Sequence, residues 1–205
     1  MPNFIIIFIK YMQPSKTNFE IYLKSVLNDK SLEHHIPEIL DCFQLLKLNK
    51  NDFFAEAGSV CKYFCYIESG ILQHSIDVSG EEKTTYLALK NSLTSALNSF
   101  KNKVPSRKNI KALFDCELWI IDADTFNRLL SNNVAFNRFY YNLIENQIFR
   151  IDDYRINLLT LTPEERYKKL LSNENELLQK VPLHYLASFL GISSRHMSRI
   201  RKNIK

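Results

Sequence analysis

The sequence predicts an α+β protein in which an antiparallel β-sandwich is followed by a long helix and a C-terminal helix-turn-helix unit. Three observations carry that prediction. Short runs rich in Tyr, Phe, Ile and Thr between Lys62 and Leu89 are punctuated by Gly58, Gly70 and Gly80, roughly every ten residues, the rhythm of a small sandwich. A run from Val134 to Leu159 is the longest stretch with helical apolar spacing. Near the end, Gly191 separates two short apolar helical patterns, and five basic residues follow within the last eleven positions.

Taken in order, the chain opens on FIIIFI, Phe4 to Ile9, six residues that are too short for a secretory core or a membrane span. Residues 1–18 therefore read as an N-terminal extension or extra strand, and the protein is expected to be cytoplasmic with no membrane partner. TNFEIYLKSVLNDKSL places Phe19, Leu23, Val26 and Leu27 on one side of a helix, and EHHIPEILDCFQLLKL predicts a second short helix. The sandwich domain spans 19–133 and closes on the strand CELWIID and the helix ADTFNRLLSNN. Cys42, Cys61, Cys65 and Cys116 are expected to be reduced thiols, Cys61 and Cys65 lying at alternate positions of one strand rather than in a cluster-binding set.

In the helix over 134–159, Tyr140, Ile144, Gln147, Ile151, Tyr154 and Leu158 recur at alternating steps of four and three, the spacing of a coiled-coil seam. That seam predicts a homodimer, with Gln147 as a polar residue that sets register; an amphipathic helix lying on the sandwich is the other reading. TLTPEERYKKLL then starts a new helix. Thr162 is its cap, Pro163 stands in the first turn where a missing N–H costs nothing, and Glu165 is placed to reach back to the cap. A C-terminal domain over 160–205 begins there. It holds nine Lys and Arg against four Asp and Glu, which accounts for the whole net charge of +5. Charge gathered in one terminal segment is the footprint of a polyanionic partner.

PLHYLASFLGISSRHMSRIRK supplies the steric pattern of two helices meeting at a steep angle: Ala187 where they touch, and Gly191 in the turn. Ser193 caps the second helix, which buries Met197 and Ile200 and turns Ser194, Arg195, His196, Ser198, Arg199 and Lys202 outward. Double-stranded DNA is the partner this face suits. Arginine donates two parallel hydrogen bonds to guanine edges, serine bonds bases or phosphate, and a helix start favours a phosphate. Arg201, Lys202 and Lys205 would meet the phosphate backbone. A helical corner docked on a partner protein, as in an interaction adaptor, is the competing reading.

Together, YFCYIESGIL…GEEKT, the long helix, the capped TPEERYKKLL and the terminal GISSRHMSRIRK resemble the Crp/Fnr transcription regulators, from about Phe19 to the end of the chain. The resemblance implies a jelly-roll sensor domain, a dimerisation helix from Val134 and a winged-type helix-turn-helix. It also implies that Ser194, Arg195 and Arg199 read bases, and RNA polymerase is the further partner expected of such a bacterial regulator. Cyclic-nucleotide-binding relatives carry a Gly–Glu pair and then an Arg followed by a small hydroxyl residue late in the sandwich. Here that stretch reads LTSALNSFKNKVPSRKNIKAL, with Ser95 and Ala96 in place of the pair and Arg107 near the arginine position. No cyclic nucleotide, cofactor or metal is therefore expected, and the five histidines show no metal-ligand spacing that would suit an enzyme. A sensor that binds an unidentified small molecule in the sandwich pocket stays open as an alternative.

Overall fold

The computed structural model describes residues 15–173 and 179–204, so the FIIIFI stretch lies outside the described residues. Helix α1 (Thr17–Leu27) buries Phe19, Leu23 and Leu27, spaced four residues apart on one stripe. A 3₁₀ turn (Lys30–His35), capped by Asp29, leads into α2 (Ile36–Asp41). The second helix read over 33–48 needs correction here: the chain leaves the helix at Cys42, and Gln44–Leu48 is strand β1. The physical reason is long-range pairing. Gln44 to Leu48 lie antiparallel against Ile120 to Cys116, a ladder that helical periodicity over a short apolar run cannot reveal.

Seven further strands follow: β2 (Phe53–Ala55), β3 (Tyr63–Ser69), β4 (Ile71–Val78), β5 (Glu81–Leu89), β6 (Leu93–Thr94), β7 (Asn109–Ala112) and β8 (Cys116–Asp122). They form two four-stranded sheets, in the orders β1-β8-β3-β6 and β2-β7-β4-β5, antiparallel throughout. This is the antiparallel sandwich the sequence predicts, in the jelly-roll arrangement the resemblance implies. Strand β3 is buried on both faces because α1 covers its outer side: Phe19 stacks on Tyr66 with ring centroids 4.5 Å apart. Cys65 lies in β3, whereas Cys61, expected in the same strand, sits in the loop that approaches it. All four cysteines are free thiols. Gly70, at the bend between β3 and β4, has φ +91° and leaves no room for a side chain, since a Cβ there would stand 2.4 Å from the Cys116 sulfur.

The helices that link the sandwich to the C-terminus are α3 (Leu97–Asn102), α4 (Ala123–Asn132) and α5 (Val134–Thr160). Asp122 caps α4 by accepting from the Asp124 and Thr125 N–H groups, and Asn133 caps α5 through Phe136 N–H. The first half of α5 buries Ala135, Phe136, Phe139 and Leu143, and the second half runs on with its outer side exposed. Among the described residues no helix is long and apolar enough to cross a membrane.

The C-terminal unit consists of α6 (Pro163–Asn173), α7 (Leu183–Phe189) and α8 (Ser194–Asn203). The capping box at Thr162 and Glu165 forms as expected: Thr162 N–H donates to Glu165 Oε2 at 2.8 Å and Glu165 N–H donates to Thr162 Oγ1 at 3.3 Å. A second core joins this unit to the sandwich, with Tyr167, Leu186, Leu190, Met197 and Ile200 packed among Ile71, Leu87 and Leu113. Helix α7 lies along β5, the edge strand of its sheet, where Thr84 N–H donates to Ser188 Oγ at 2.8 Å. An edge that would otherwise present unpaired backbone is thereby covered. Among the described residues no strand follows β8, and this unit is built of helices.

Candidate nucleic-acid interface and the cavity behind it

The turn between α7 and α8 follows from local chemistry. Ile192 N–H donates to Ala187 O and Gly191 N–H to Ser188 O, at 2.9 and 3.1 Å, which closes α7 in a glycine-ended turn with Gly191 at φ +70°. Ser193 then caps α8 by accepting from His196 N–H at 3.2 Å. Leu186, Ala187, Leu190, Met197 and Ile200 are buried where the two helices meet. Ser193, Ser194, Arg195, Ser198, Arg199, Arg201 and Lys202 are exposed and His196 is half-buried. The sequence-derived set thus lies on the start, outer face and basic end of one short helix. No carboxylate makes an ion pair with any of its arginines or with Lys202 among the described residues. A face of unneutralised guanidinium groups with a free helix start is chemically suited to phosphate oxygens and guanine edges.

On α5 the residues read as a seam differ in their surroundings. Tyr140 packs edge-on against Phe126 at 5.2 Å, Gln147 lines an internal cavity, and the Tyr154 hydroxyl donates to Phe189 O at 3.0 Å while its ring stacks on Phe189. Tyr140 and Tyr154 thus make contacts within their own subunit, and Tyr140 also borders the groove on the outer side of the helix. Ile151 and Leu158 are exposed, as are Tyr141 and Ile148 beside them, with Ile148 and Ile151 each 58% exposed, and Ile144 is half-buried. Steps of 3, 4, 3, 4 and 3 through residues 141, 144, 148, 151, 155 and 158 still mark a seam, with Arg155 as its polar member. A helix that buries one stripe on its own domain and exposes another carries two overlapping apolar periodicities, and sequence alone does not say which faces outward.

Behind α5 lies a cavity of about 590 Å3 bounded by β4, β5 and β6, by the second half of α5, and by α6 and α7. Phe64, Leu93, Leu143 and Ile144 supply apolar wall, and His74, Thr94, Lys108, Arg150, Arg166 and Lys169 supply polar groups. His74 is 2% exposed; its Nε2 shares a hydrogen bond with Thr94 Oγ1 at 2.8 Å and its Nδ1 has no partner. Burial, aided by the Lys108 charge, pulls the imidazole pKa down to about 3, so it is neutral at ordinary pH. Burial likewise lowers the Lys108 amine from its usual value. Ile144 lines this cavity and also the shallow groove on the outer side of α5 formed with Tyr141, Ile148 and Phe149.

The sequence reading did not identify His74, Lys108 or Arg166 as site residues. Nothing in their spacing marks them, because they come from β4, the loop before β7, and α6. Arg107, which the reading placed near a phosphate-binding position, is exposed and does not line the cavity, whereas its neighbour Lys108 does. Ser95 lines the cavity where a cyclic-nucleotide site would have its Gly–Glu pair, and Asp153 on α5 is the single carboxylate of the lining. These residues do not fit a cyclic nucleotide, because the ribose hydroxyls would lack the acceptor carboxylate beside the strand. Among the described residues no group of three or more His, Cys, Asp or Glu is placed to hold a metal ion.

Residues 45–133 match the family model of the cyclic nucleotide-binding domain. No curated protein matches the chain by sequence. Among solved structures, FixK2 from Bradyrhizobium japonicum is similar over 79% of this chain and 84% of its own, at 13% identity and a TM-score of 0.66. The catabolite activator protein of Thermus thermophilus is similar over 87% and 86%, at 18% identity and a TM-score of 0.55. A protein from Eubacterium rectale described as a Crp/Fnr-family transcriptional regulator is similar over 85% and 82%, at 16% identity and a TM-score of 0.63.

Proposed function

We propose that this chain, which carries a cyclic nucleotide-binding domain within the fold of the Crp/Fnr regulators, is a sequence-specific DNA-binding transcription regulator that works as a homodimer. The observation that carries the reading is the α7–Gly191–α8 corner: a buried apolar seam fixes a short helix whose outer face is Ser194, Arg195, Ser198 and Arg199, with no ion pair to a carboxylate among the described residues. In this reading 19–133 is the sensor domain, 134–159 the dimerisation helix, and 160–205 the DNA-binding domain. Pairing of α5 through Tyr141, Ile144, Ile148, Ile151 and Leu158 sets two α8 helices in successive major grooves, about 34–36 Å apart on an inverted repeat. The cavity lining supports a sandwich that does not take cyclic nucleotide, and RNA polymerase is the partner a bound regulator would contact. The cavity itself favours a second component of the same reading, control by a small molecule.

The test is selection of bound fragments from random duplex DNA, followed by mobility shift at two salt concentrations. An inverted repeat should emerge, and Arg199→Ala should weaken it by about 5- to 150-fold, corresponding to about 1–3 kcal/mol for a base contact. Affinity for unrelated duplex should fall steeply with salt. A chain that ignores duplex DNA at low ionic strength overturns the proposal.

A further inference from the structure

The cavity behind α5 has the size of a small-molecule site, and its polar groups point to one kind of occupant. Of the cationic side chains in its wall, Lys108, Arg166 and Lys169 make no ion pair among the described residues. Arg166 donates from Nη1 to Leu158 O at 3.3 Å and from Nη2 to Leu190 O at 3.1 Å, and leaves Nε buried without an acceptor. Among the described residues Lys169 donates only to the neutral amide oxygen of Asn157, at 3.1 Å. The Lys108 ammonium donates to no acceptor among the described residues, while burial disfavours its charged form. Arg150 adds a fourth cationic group to the lining and Asp153 the one opposing charge. Lys108 and Arg166 are half-buried against this apolar wall with no ion pair among the described residues, which is costly, and Lys169 is exposed beside them; an anion that enters gains the field they already provide. A neutral molecule would leave that cost in place.

We propose that this cavity takes a small amphipathic organic anion, a carboxylate or phosphate monoester on an apolar body, with its charge held by Lys108 of the sandwich and by Arg166 and Lys169 of the C-terminal unit. The apolar body lies along Phe64, Leu93, Leu143 and Phe189, which leaves no role for a ribose acceptor. Because Lys108 precedes β7 and the other two cations belong to α6, the anion bridges the two units. It acts where Arg166 and Tyr154 already hold the last carbonyls of α7, Leu190 O and Phe189 O. Occupancy therefore sets how firmly the helix before α8 is held against the sandwich. This regulatory consequence rests on the DNA-binding reading; the binding site does not.

Isothermal calorimetry on the full chain without DNA, using octanoate, octyl phosphate and 1-octanol as probes, tests the site. At least one anion is expected to bind tenfold or more tighter than the alcohol of the same chain length. Lys108→Met is expected to remove that preference and leave octanol affinity unchanged. Lys169→Gln, which changes an exposed side chain and keeps the fold, is expected to lower anion affinity at least threefold, and it carries the test if Lys108→Met does not stay folded. Equal binding of anions and octanol, or a preference that survives the lysine substitutions, overturns the proposal. Since no DNA is present, failure here leaves the nucleic-acid interface standing, and failure of DNA binding leaves this site standing.

Discussion

Acid should destabilise the sandwich through one buried side chain, His74. Its imidazole is neutral in the folded chain, with a pKa of about 3, because burial and the neighbouring Lys108 charge oppose protonation. The groups around it offer nothing to stabilise a cation: Thr94 shares its Nε2, the Tyr86 ring stands edge-on at 5.4 Å, and no carboxylate is bonded to it. The unfolded imidazole titrates near 6.5. A group whose folded pKa is depressed in this way leaves stability intact above 6.5. Below that value the unfolded chain binds a proton that the folded chain does not, so stability falls as pH drops from 6.5 toward 3. The slope approaches about 1.4 kcal/mol per pH unit, and between pH 7 and pH 5 the loss from this residue is about 2 kcal/mol. That is a sizeable share of the roughly 5–15 kcal/mol that holds a domain together. Trp119 is the single tryptophan and is buried in the sheet, so its fluorescence reports urea unfolding of the sandwich at each pH. His74→Gln keeps a hydrogen-bonding group opposite Thr94 but cannot titrate, and its stability should fall by about 2 kcal/mol less over the same interval. Equal losses for the two proteins, within about 0.5 kcal/mol, would refute the assignment of a neutral buried imidazole.

Three further outcomes follow from particular contacts. Gly70→Ala places a Cβ against the Cys116 sulfur and the Asp115 carbonyl at positive φ, and should cost on the order of 3 kcal/mol by chemical denaturation; a change under about 0.5 kcal/mol would contradict the close approach. Tyr154→Phe removes the hydroxyl that donates to Phe189 O, worth about 1 kcal/mol, and should speed amide exchange in α7 and α8 about fivefold with little change in α1, a difference that exchange rates resolved by segment will show or deny. Ile148→Lys puts a charge in the middle of the exposed stripe of α5 and should leave monomers by sedimentation, whereas Gln147→Ala, facing the cavity, should not change the oligomeric state; the reverse pattern would restore the original seam phase.

Local signals were legible in the sequence wherever the chemistry is local. Thr162 and Glu165 announce a helix start that forms as written, and Ala187, Gly191 and Ser193 specify a tight corner that needs no distant partner. The glycine rhythm between β3 and β5 likewise reflects the turns themselves, as at Ser79 and Gly80, where two positive φ values close the β4–β5 hairpin. Only the tertiary structure decided the rest. Whether Gln44–Leu48 is helix or strand depends on β8, some seventy residues away, and whether Tyr140, Gln147 and Tyr154 face a second copy or their own domain depends on where Phe126, Phe189 and the cavity lie. The cavity is the extreme case. His74, Lys108 and Arg166 carry no mutual spacing in the chain, because a site assembled from three elements is defined by their packing and not by the order in which they are synthesised.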